Sequence, residues 1–271
     1  MAKHPPFCFL HIPKTGGITL AYIIFNQYRY AKTFTIGSAL LTESFLRLPL
    51  KERAEYEIVR GHFAFDERFK ISDDTRFFTM LREPAKRIIS HYNFLFYQTS
   101  HFFHGEMVRN NYSLKDMLTQ GHMKGFDNCM VRYLSGTVLK EFGKVDEADL
   151  KAAIRNFDKY FSSFGINEFF DESLLMLSYE LNWKFPYSAN LNETKQKKIT
   201  QVTDEETKRA LDQCTRFDYQ LYNYALAKFK EKKSFYQNQL NDDLIRLREG
   251  NRKRNFFLKV DYVLNRNKIS F

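Results

Sequence analysis

The 271-residue sequence predicts an α/β fold with a central, mostly parallel sheet, helices on both of its faces, and a helical appendage at the C-terminus. Three observations support this prediction. Short apolar runs alternate with segments of helical periodicity, and each run is followed by a loop rich in glycine, proline or polar residues. The composition, with 44% hydrophobic and 27% charged residues, is typical of a globular protein with one sizeable core.

Four short apolar runs are predicted to be strands. They are residues 7–12, 56–59, 76–81 and 160–166. Pro13 ends the first run, and polar or glycine-containing segments follow the others. Because ligands bind beyond the carboxyl ends of the strands in an open parallel sheet, these following segments are where functional side chains are expected.

Helical periodicity and end signals predict the helices. They are residues 18–28, 84–96, 113–118, 147–160, 171–181 and 203–229. Pro84 suits the first turn of a helix, and Asp146 suits an N-cap. Thr203 and Glu206 have the spacing of a capping box, which predicts where the last and longest of these helices begins.

The positive charge is concentrated near the C-terminus. The formal net charge is +10, and the segment from Lys228 onward holds 12 lysine and arginine residues against 5 acidic ones. The rest of the chain is nearly balanced, which argues against a nucleic-acid-binding surface. We predict a domain over residues 1–230 and a basic, helical extension over residues 231–271. This extension is expected to be a solvated appendage, and the alternatives are that it packs on the domain, pairs with a second copy of the chain, or lies on an acidic surface such as a membrane.

The three cysteines are predicted to be buried, reduced thiols, because Cys8, Cys129 and Cys214 are far apart in the sequence. No spacing of cysteine and histidine suits a metal ion. Proline and charge interrupt the N-terminal segment, which therefore does not resemble a signal peptide, and 18 consecutive apolar residues occur nowhere. The sequence accordingly predicts a soluble, cytoplasmic protein without a bound metal.

The segment His11–Leu20, HIPKTGGITL, joins the first strand to the first helix and has the composition of an anion-binding loop. A helix N-terminus offers free N–H groups and the positive end of a dipole, and glycine lets an anion approach the main chain closely. A lysine adds charge, and threonines add hydroxyl donors. The residues expected to bind the anion are Lys14, Thr15, Gly16, Gly17 and Thr19.

The order of residues in this loop differs from that of a Walker A loop, because Lys14 precedes the glycines. This order disfavours an enzyme that uses nucleoside triphosphates. A strand, an anion loop and a helix in succession nevertheless predict a P-loop-like, three-layer α/β/α arrangement. The alternative interpretation of the loop is a tight turn with a solvent-facing lysine.

A second anion site is predicted in the segment LREPAKRIISHYNF, residues 81–94. Arg82 follows a strand, and Ser90 lies a little over two helical turns later, so both side chains can face the same side of the sheet. A guanidinium and a hydroxyl together suit a terminal phosphate. The alternative is a simple amphipathic helix, in which Lys86 and Arg87 are solvated.

Together the two segments resemble a known family. HIPKTGGITL and the pattern RxPxxRxxSxY are similar to the donor-binding motifs of sulfotransferases that use 3′-phosphoadenosine 5′-phosphosulfate (PAPS), the family that includes heparan sulfate 2-O-sulfotransferases and bacterial relatives. The resemblance implies that Lys14 contacts the 5′-phosphosulfate and its bridging oxygen. The other implied phosphate contacts are Gly16, Gly17 and Thr19 for the 5′-phosphate, and Arg82 and Ser90 for the 3′-phosphate.

The segment Arg60–Phe63, RGHF, contains a candidate general base at the end of the second predicted strand. Histidine titrates near neutrality and can take the proton of an attacking hydroxyl, although a lone histidine is more often a structural residue. The resemblance implies that His62 is this base and that Lys14 stabilises the leaving group. Arg60 stands where heparan-acting relatives have a second histidine, which argues against a heparan-type acceptor.

Weaker similarities extend the resemblance over residues 5–230. Asn128 and Arg132 belong to a segment that helps to frame the active site in the family, and Lys195 belongs to a loop that closes over the nucleotide. Five further histidines have weaker claims to a site role: His11, His91, His101, His104 and His122. The absence of an anchor segment favours a bacterial member over a Golgi member of the family.

The sequence therefore predicts transfer of a sulfuryl group from PAPS to a hydroxyl without a metal, and the acceptor is expected to be a carbohydrate. Two alternatives stay open at this stage. One is an ATP-dependent transferase of the P-loop kinase type, and the other is a non-enzymatic protein that binds polyanions through its basic extension.

Overall fold

The computed structural model describes residues 6–189, 191 and 197–269, and five strands in this part of the chain form one sheet. The strands are β1 (Phe7–Leu10), β2 (Thr33–Ile36), β3 (Ile58–Gly61), β4 (Arg76–Leu81) and β5 (Ser163–Ile166). Their spatial order is β2-β3-β1-β4-β5, and all four neighbouring pairs are parallel. The chain builds one side of the sheet first, then crosses β1 and builds the other, so β1 lies where the direction of strand addition reverses.

Helices connect the strands and continue beyond them. They are α1 (Gly17–Gln27), α2 (Ala39–Arg47), α3 (Leu50–Arg53), α4 (Pro84–Tyr97), α5 (His104–Arg109), α6 (Leu114–Thr119), α7 (Cys129–Ser135), α8 (Glu147–Tyr160), α9 (Phe170–Glu180), α10 (Glu205–Phe235) and α11 (Gln237–Ile269). The α/β class, the parallel sheet and the helical C-terminal segment are confirmed.

Both faces of the sheet are covered by apolar side chains. In β1, Cys8 and Leu10 join a cluster to which α7, α8 and α10 contribute, whereas Phe7 and Phe9 join a cluster to which α1 and α9 contribute. All four residues are buried. Strands that are buried on both faces appear in the sequence as continuous apolar runs, which is why the central strands could be recognised.

The edge strand β2 was not predicted, and its burial explains why. Thr33 is exposed and Phe34 is only partly buried, so the four residues give no continuous apolar run. Among the described strands it pairs only with β3, and its residues acquire their conformation from that partner. In contrast, β4 and α8 begin and end at the predicted residues, because a buried apolar run and a capping residue mark their limits.

The basic C-terminal segment packs against the rest of the chain. Leu240, Leu247 and Ile269 of α11 are buried, and Tyr22 of α1 donates a hydrogen bond of 2.8 Å to Asp261. The predicted division at residue 230 lies within α10, which continues to Phe235. The extension is helical as predicted, but one side of it is buried, so it is more than a solvated appendage.

The cysteines are free and buried, as predicted. No helix in the described ranges is both long and apolar enough to cross a membrane.

Candidate functional site

The carboxyl ends of four strands open into one cleft. The segments that follow β1, β3, β4 and β5 bring Lys14, His62, Arg82 and Asn167 to its surface. The volume of the cleft is about 1690 Å³. A pocket for one drug-sized ligand usually has about 300–1,000 Å³, so this cleft has room for two substrates.

The predicted anion loop forms the floor of the cleft. Lys14 and Gly16 have positive φ angles of 71° and 90°, and this tight path brings Gly17 to the first position of α1. No described side chain caps α1, so its first N–H groups are left for a ligand. Lys14, Gly16, Gly17 and Thr19 line the cleft, as expected for residues that would bind an anion.

Thr15 is placed differently from the other residues of the loop. Its side chain is completely buried, and its hydroxyl donates a hydrogen bond of 2.8 Å to the main-chain oxygen of Ile12. The hydroxyl therefore closes the turn instead of facing a ligand. Any contact of Thr15 with an anion would come from its main chain.

The second predicted anion site adjoins the first. Nη1 of Arg82 donates a hydrogen bond of 3.0 Å to the main-chain oxygen of Lys14, and Ser90 lines the same cleft. Nε of Arg82 is buried and makes no hydrogen bond to a described residue. Arg87 is fully buried, and its Nη2 donates a hydrogen bond of 2.6 Å to the main-chain oxygen of Gly125. The alternative in which Arg87 is solvated was therefore wrong.

Acidic side chains behind the cleft hold the turn that carries Arg82. Glu83 caps α4 by accepting a hydrogen bond of 2.7 Å from the main-chain N–H of Lys86. Glu168 accepts the N–H of Glu83 at 3.1 Å, and the hydroxyl of Tyr222 donates to Glu168 at 3.0 Å. Because these carboxylates are occupied by main-chain and tyrosine donors, they fix the start of α4.

The buried cations at the floor of the cleft have lowered pKa values. Burial, followed by the charges of Arg82 and Arg87, lowers the pKa of Lys14 to about 8. Burial also lowers the pKa of Arg82. A cluster of partly buried cations is unfavourable on its own and becomes favourable when a multiply charged anion enters.

Two histidines stand side by side next to this cluster. Nδ1 of His62 lies 2.8 Å from the main-chain oxygen of His11, and the two rings stack with their centres 4.3 Å apart. A carbonyl oxygen can only accept, so the hydrogen of neutral His62 is on Nδ1 and the lone pair is on Nε2. Burial lowers the pKa of His62, so the ring is neutral at pH 7 and can accept a proton at Nε2.

His11 was given only a weak claim from the sequence, yet it organises the site. Its N–H donates a hydrogen bond of 2.9 Å to Gly61, and burial lowers its pKa far below the usual value. Its ring also occupies the space in which a side chain at Gly17 would lie, with Nε2 1.7 Å from an added Cβ. The signal that could have revealed this role is its position after β1, level with His62 after the neighbouring β3.

Asn128 and Arg132 have structural partners. Asn128 accepts a hydrogen bond of 3.1 Å from the N–H of Asp218 and so links α7 to α10. Arg132 forms a buried ion pair with Asp127 and donates 2.6 Å to the main-chain oxygen of Lys140. Arg132 reaches the surface of the cleft, but its polar contacts join the elements that frame it.

The opposite wall of the cleft comes from α11, which sequence reasoning did not assign to the site. The residues of α11 that line it include Arg252, Asn255, Tyr262 and Arg266. Their spacing of three, four and seven residues puts them along one side of the helix. Among the other histidines, His91 and His101 also line the cleft. Lys195 lies outside the described residues.

Comparison with known proteins identifies the family of the chain. The family model described as galactose-3-O-sulfotransferase matches residues 3–266. The chain belongs to this family. Human galactose-3-O-sulfotransferase 2 is 24% identical, and the match covers 82% of this chain. The chain spans about 60% of the length of that human protein.

The sulfotransferase family predicted from the two motifs is thus confirmed, and the branch that the matched model describes is galactose-3-O-sulfotransferase. The match also continues beyond residue 230, where the predicted resemblance ended, and covers most of α11. The helix that forms the far wall of the cleft is therefore part of what the family shares.

Replacing Gly17 with alanine should destabilise the protein, because the added carbon would lie 1.7 Å from Nε2 of the buried His11 ring. We expect a loss of about 1–3 kcal/mol in the free energy of unfolding, as for other overpacked sites. Urea unfolding measures it. The matched control is Gly105→Ala, where no atom lies within 4 Å of the added carbon, and it should be neutral or slightly stabilising. Equal stabilities for the two variants would contradict the packing role of His11.

Proposed function

We infer that this protein transfers a sulfuryl group from PAPS to a carbohydrate hydroxyl. One observation carries the proposal: a histidine with its lone pair on Nε2 stands beside a buried cluster of cations at an uncapped helix N-terminus. Membership of the galactose-3-O-sulfotransferase family supports it and makes a galactose residue the first acceptor to test.

The residues of the cleft suit the charges of PAPS. Lys14 and the free N–H groups at the start of α1 would hold the 5′-phosphosulfate, and Arg82 with Ser90 would hold the 3′-phosphate. The buried Nε of Arg82 makes no hydrogen bond to a described residue, and such a phosphate would satisfy it. A nucleotide contact of Lys195 and a P-loop-like, three-layer class for the domain belong to the same proposal, and both follow from the resemblance of the loops.

The reaction needs one proton acceptor and one stabiliser of negative charge. As the acceptor oxygen attacks sulfur, its O–H bond breaks and the proton passes to Nε2 of His62. The bond between sulfur and the bridging oxygen breaks on the opposite side, and the electron pair stays on the departing phosphate. Lys14 stabilises that charge by donating a hydrogen bond to the bridging oxygen.

The residues of the cleft favour this function over the two alternatives. An ATP-dependent transferase would need the loop order that Lys14 breaks. A protein that binds polyanions only through its basic extension would leave the cations on the cleft floor without a role. Lys14 and Arg82 line the cleft and lie in the main body of the chain, before the extension.

The identity of the donor can be tested by comparing how two nucleotides stabilise the protein. Adenosine 3′,5′-bisphosphate should raise the melting temperature of the protein more than ADP does, because only the former carries the phosphate that Arg82 is proposed to bind. In Arg82→Ala this difference should largely disappear. Arg47→Ala is the matched control, since its side chain is 81% exposed in a surface ion pair. A larger shift with ADP in the wild-type protein would overturn the proposed donor.

The base is tested by removing it. We expect His62→Ala to lower turnover by roughly 10²–10⁴-fold, the usual contribution of a general base. Affinity for adenosine 3′,5′-bisphosphate, measured by calorimetry, should change little. His122→Ala serves as the control, because that ring stacks on Tyr112 outside the cleft. If turnover of the His62 variant matched that of the control, another group would have to take the proton.

The low pKa of Lys14 predicts how the reaction depends on pH. A lysine with a pKa of about 8 loses its charge as the pH rises through that value, so kcat/KM for the donor should fall above pH 8. Lys14→Arg should keep its charge and shift this decline to higher pH, even if its maximum rate is lower. The measurement is kcat/KM between pH 6 and 10 at saturating acceptor. A decline at the same pH in both proteins would mean that a group other than Lys14 titrates.

A further inference from the structure

Helix α11 exposes a continuous apolar stripe on the side that faces away from the domain. Its residues, with their exposed fractions, are Phe256 (71%), Phe257 (72%), Val260 (42%), Val263 (67%) and Leu264 (78%). Counted from Phe256, the other four follow after one, four, seven and eight residues. In an ideal helix these spacings put all five on one face about 120° wide. Isolated exposed apolar residues are common on proteins, but five neighbours on one helix face indicate a contact surface.

The opposite side of the same helix is firmly attached, so the stripe has a fixed orientation. Leu258 and Tyr262 pack on Tyr22 and its neighbours in α1. Nη2 of Arg60 donates a hydrogen bond of 2.7 Å to the main-chain oxygen of Lys268. The helix therefore cannot turn to bury the stripe without breaking these contacts.

Basic side chains flank the stripe on both sides. Residues 252–268 contain one acidic residue, Asp261, which accepts the hydroxyl of Tyr22 and pairs with Arg29. The basic residues in this range are Arg252, Lys253, Arg254, Lys259, Arg266 and Lys268. An apolar face with phenylalanine and leucine, bordered by lysine and arginine, is the pattern of a helix that lies in the interface of a membrane.

We propose that the α11 stripe binds flat on the surface of a lipid bilayer that contains anionic lipids. The apolar residues enter the boundary between headgroups and acyl chains, and the flanking cations contact the acidic headgroups. Charge distinguishes this partner from a second copy of the chain. A pair of α11 helices would bring six cations against six, with one carboxylate on each helix to offset them.

This docking would also orient the cleft. Arg252 and Arg266 line the cleft from the edge of the helix adjacent to the stripe. With the stripe on a bilayer, the α11 wall of the cleft stands next to the lipid headgroups. The inference rests on the exposed face of α11 alone and holds whatever reaction the cleft catalyses.

The experiment is flotation of the full chain with phosphatidylcholine vesicles prepared with and without phosphatidylserine. Wild-type protein should float with the phosphatidylserine vesicles, and added salt should weaken the binding. The triple variant Phe256→Ser, Phe257→Ser and Leu264→Ser should lose about tenfold or more of this affinity. Its melting temperature should stay close to that of the wild type, because all three side chains are exposed.

Two further variants separate the stripe from general effects. Leu50→Ser with Leu139→Ser removes side chains that are 73% and 84% exposed elsewhere, and this protein should bind vesicles like the wild type. Lys253→Gln with Lys259→Gln should reduce binding to phosphatidylserine vesicles several-fold and flatten its salt dependence.

Three results would overturn the proposal. The first is wild-type protein that does not float, or that floats equally with both kinds of vesicle. The second is an equal loss of binding in the control variant at Leu50 and Leu139. The third is a wild-type dimer in sedimentation equilibrium that the triple variant dissociates, since the stripe would then be an interface between copies.

Discussion

The arrangement of the site depends on the hydrogen bond between Nδ1 of His62 and the main-chain oxygen of His11. This bond exists because β1 and β3 are parallel neighbours in a register that puts Leu10 beside Gly61, so the two histidines leave the sheet together. It fixes the tautomer of one ring and the position of the other. The position of the His11 ring in turn requires a glycine at position 17, because only glycine leaves room for this ring at the start of α1. One pairing in the sheet thus sets the positions of His62, of His11 and of the glycine loop at the start of α1.

The sequence contained the parts of this site that depend on local chemistry. The glycine loop with Lys14, and Arg82 before a helix, could be recognised because a strand end and a helix start leave signals within a few residues. What the sequence could not show was set by partners distant along the chain. The edge strand β2 takes its conformation from β3, and the α11 wall meets the cleft only through tertiary packing. His11 combines both situations. Its position directly after a strand could be predicted from the sequence, but its stacking on His62 could not.

The difference between the predicted and the matched branch of sulfotransferases follows from the same division. The two loop motifs resemble donor-binding motifs of sulfotransferases outside the matched branch, so they indicate sulfotransferases in general. The far wall of the cleft belongs to α11, in which no comparable motif was recognised. Arg60 illustrates the point. It occupies the place of a second histidine in heparan-acting relatives, and here its guanidinium binds the last turn of α11 instead.

That contact between Arg60 and Lys268 joins residues 208 positions apart, which has a consequence for how the protein is made. At about 5–20 residues per second, roughly 10–40 s of synthesis separate the two partners on the ribosome. During that time the carboxyl end of β3 presents Arg60 without the carbonyl that it will bind, and the cleft lacks its far wall. Assembly of a complete cleft is therefore a late, long-range step, and we expect slow folding to reflect this closure more than the formation of the sheet.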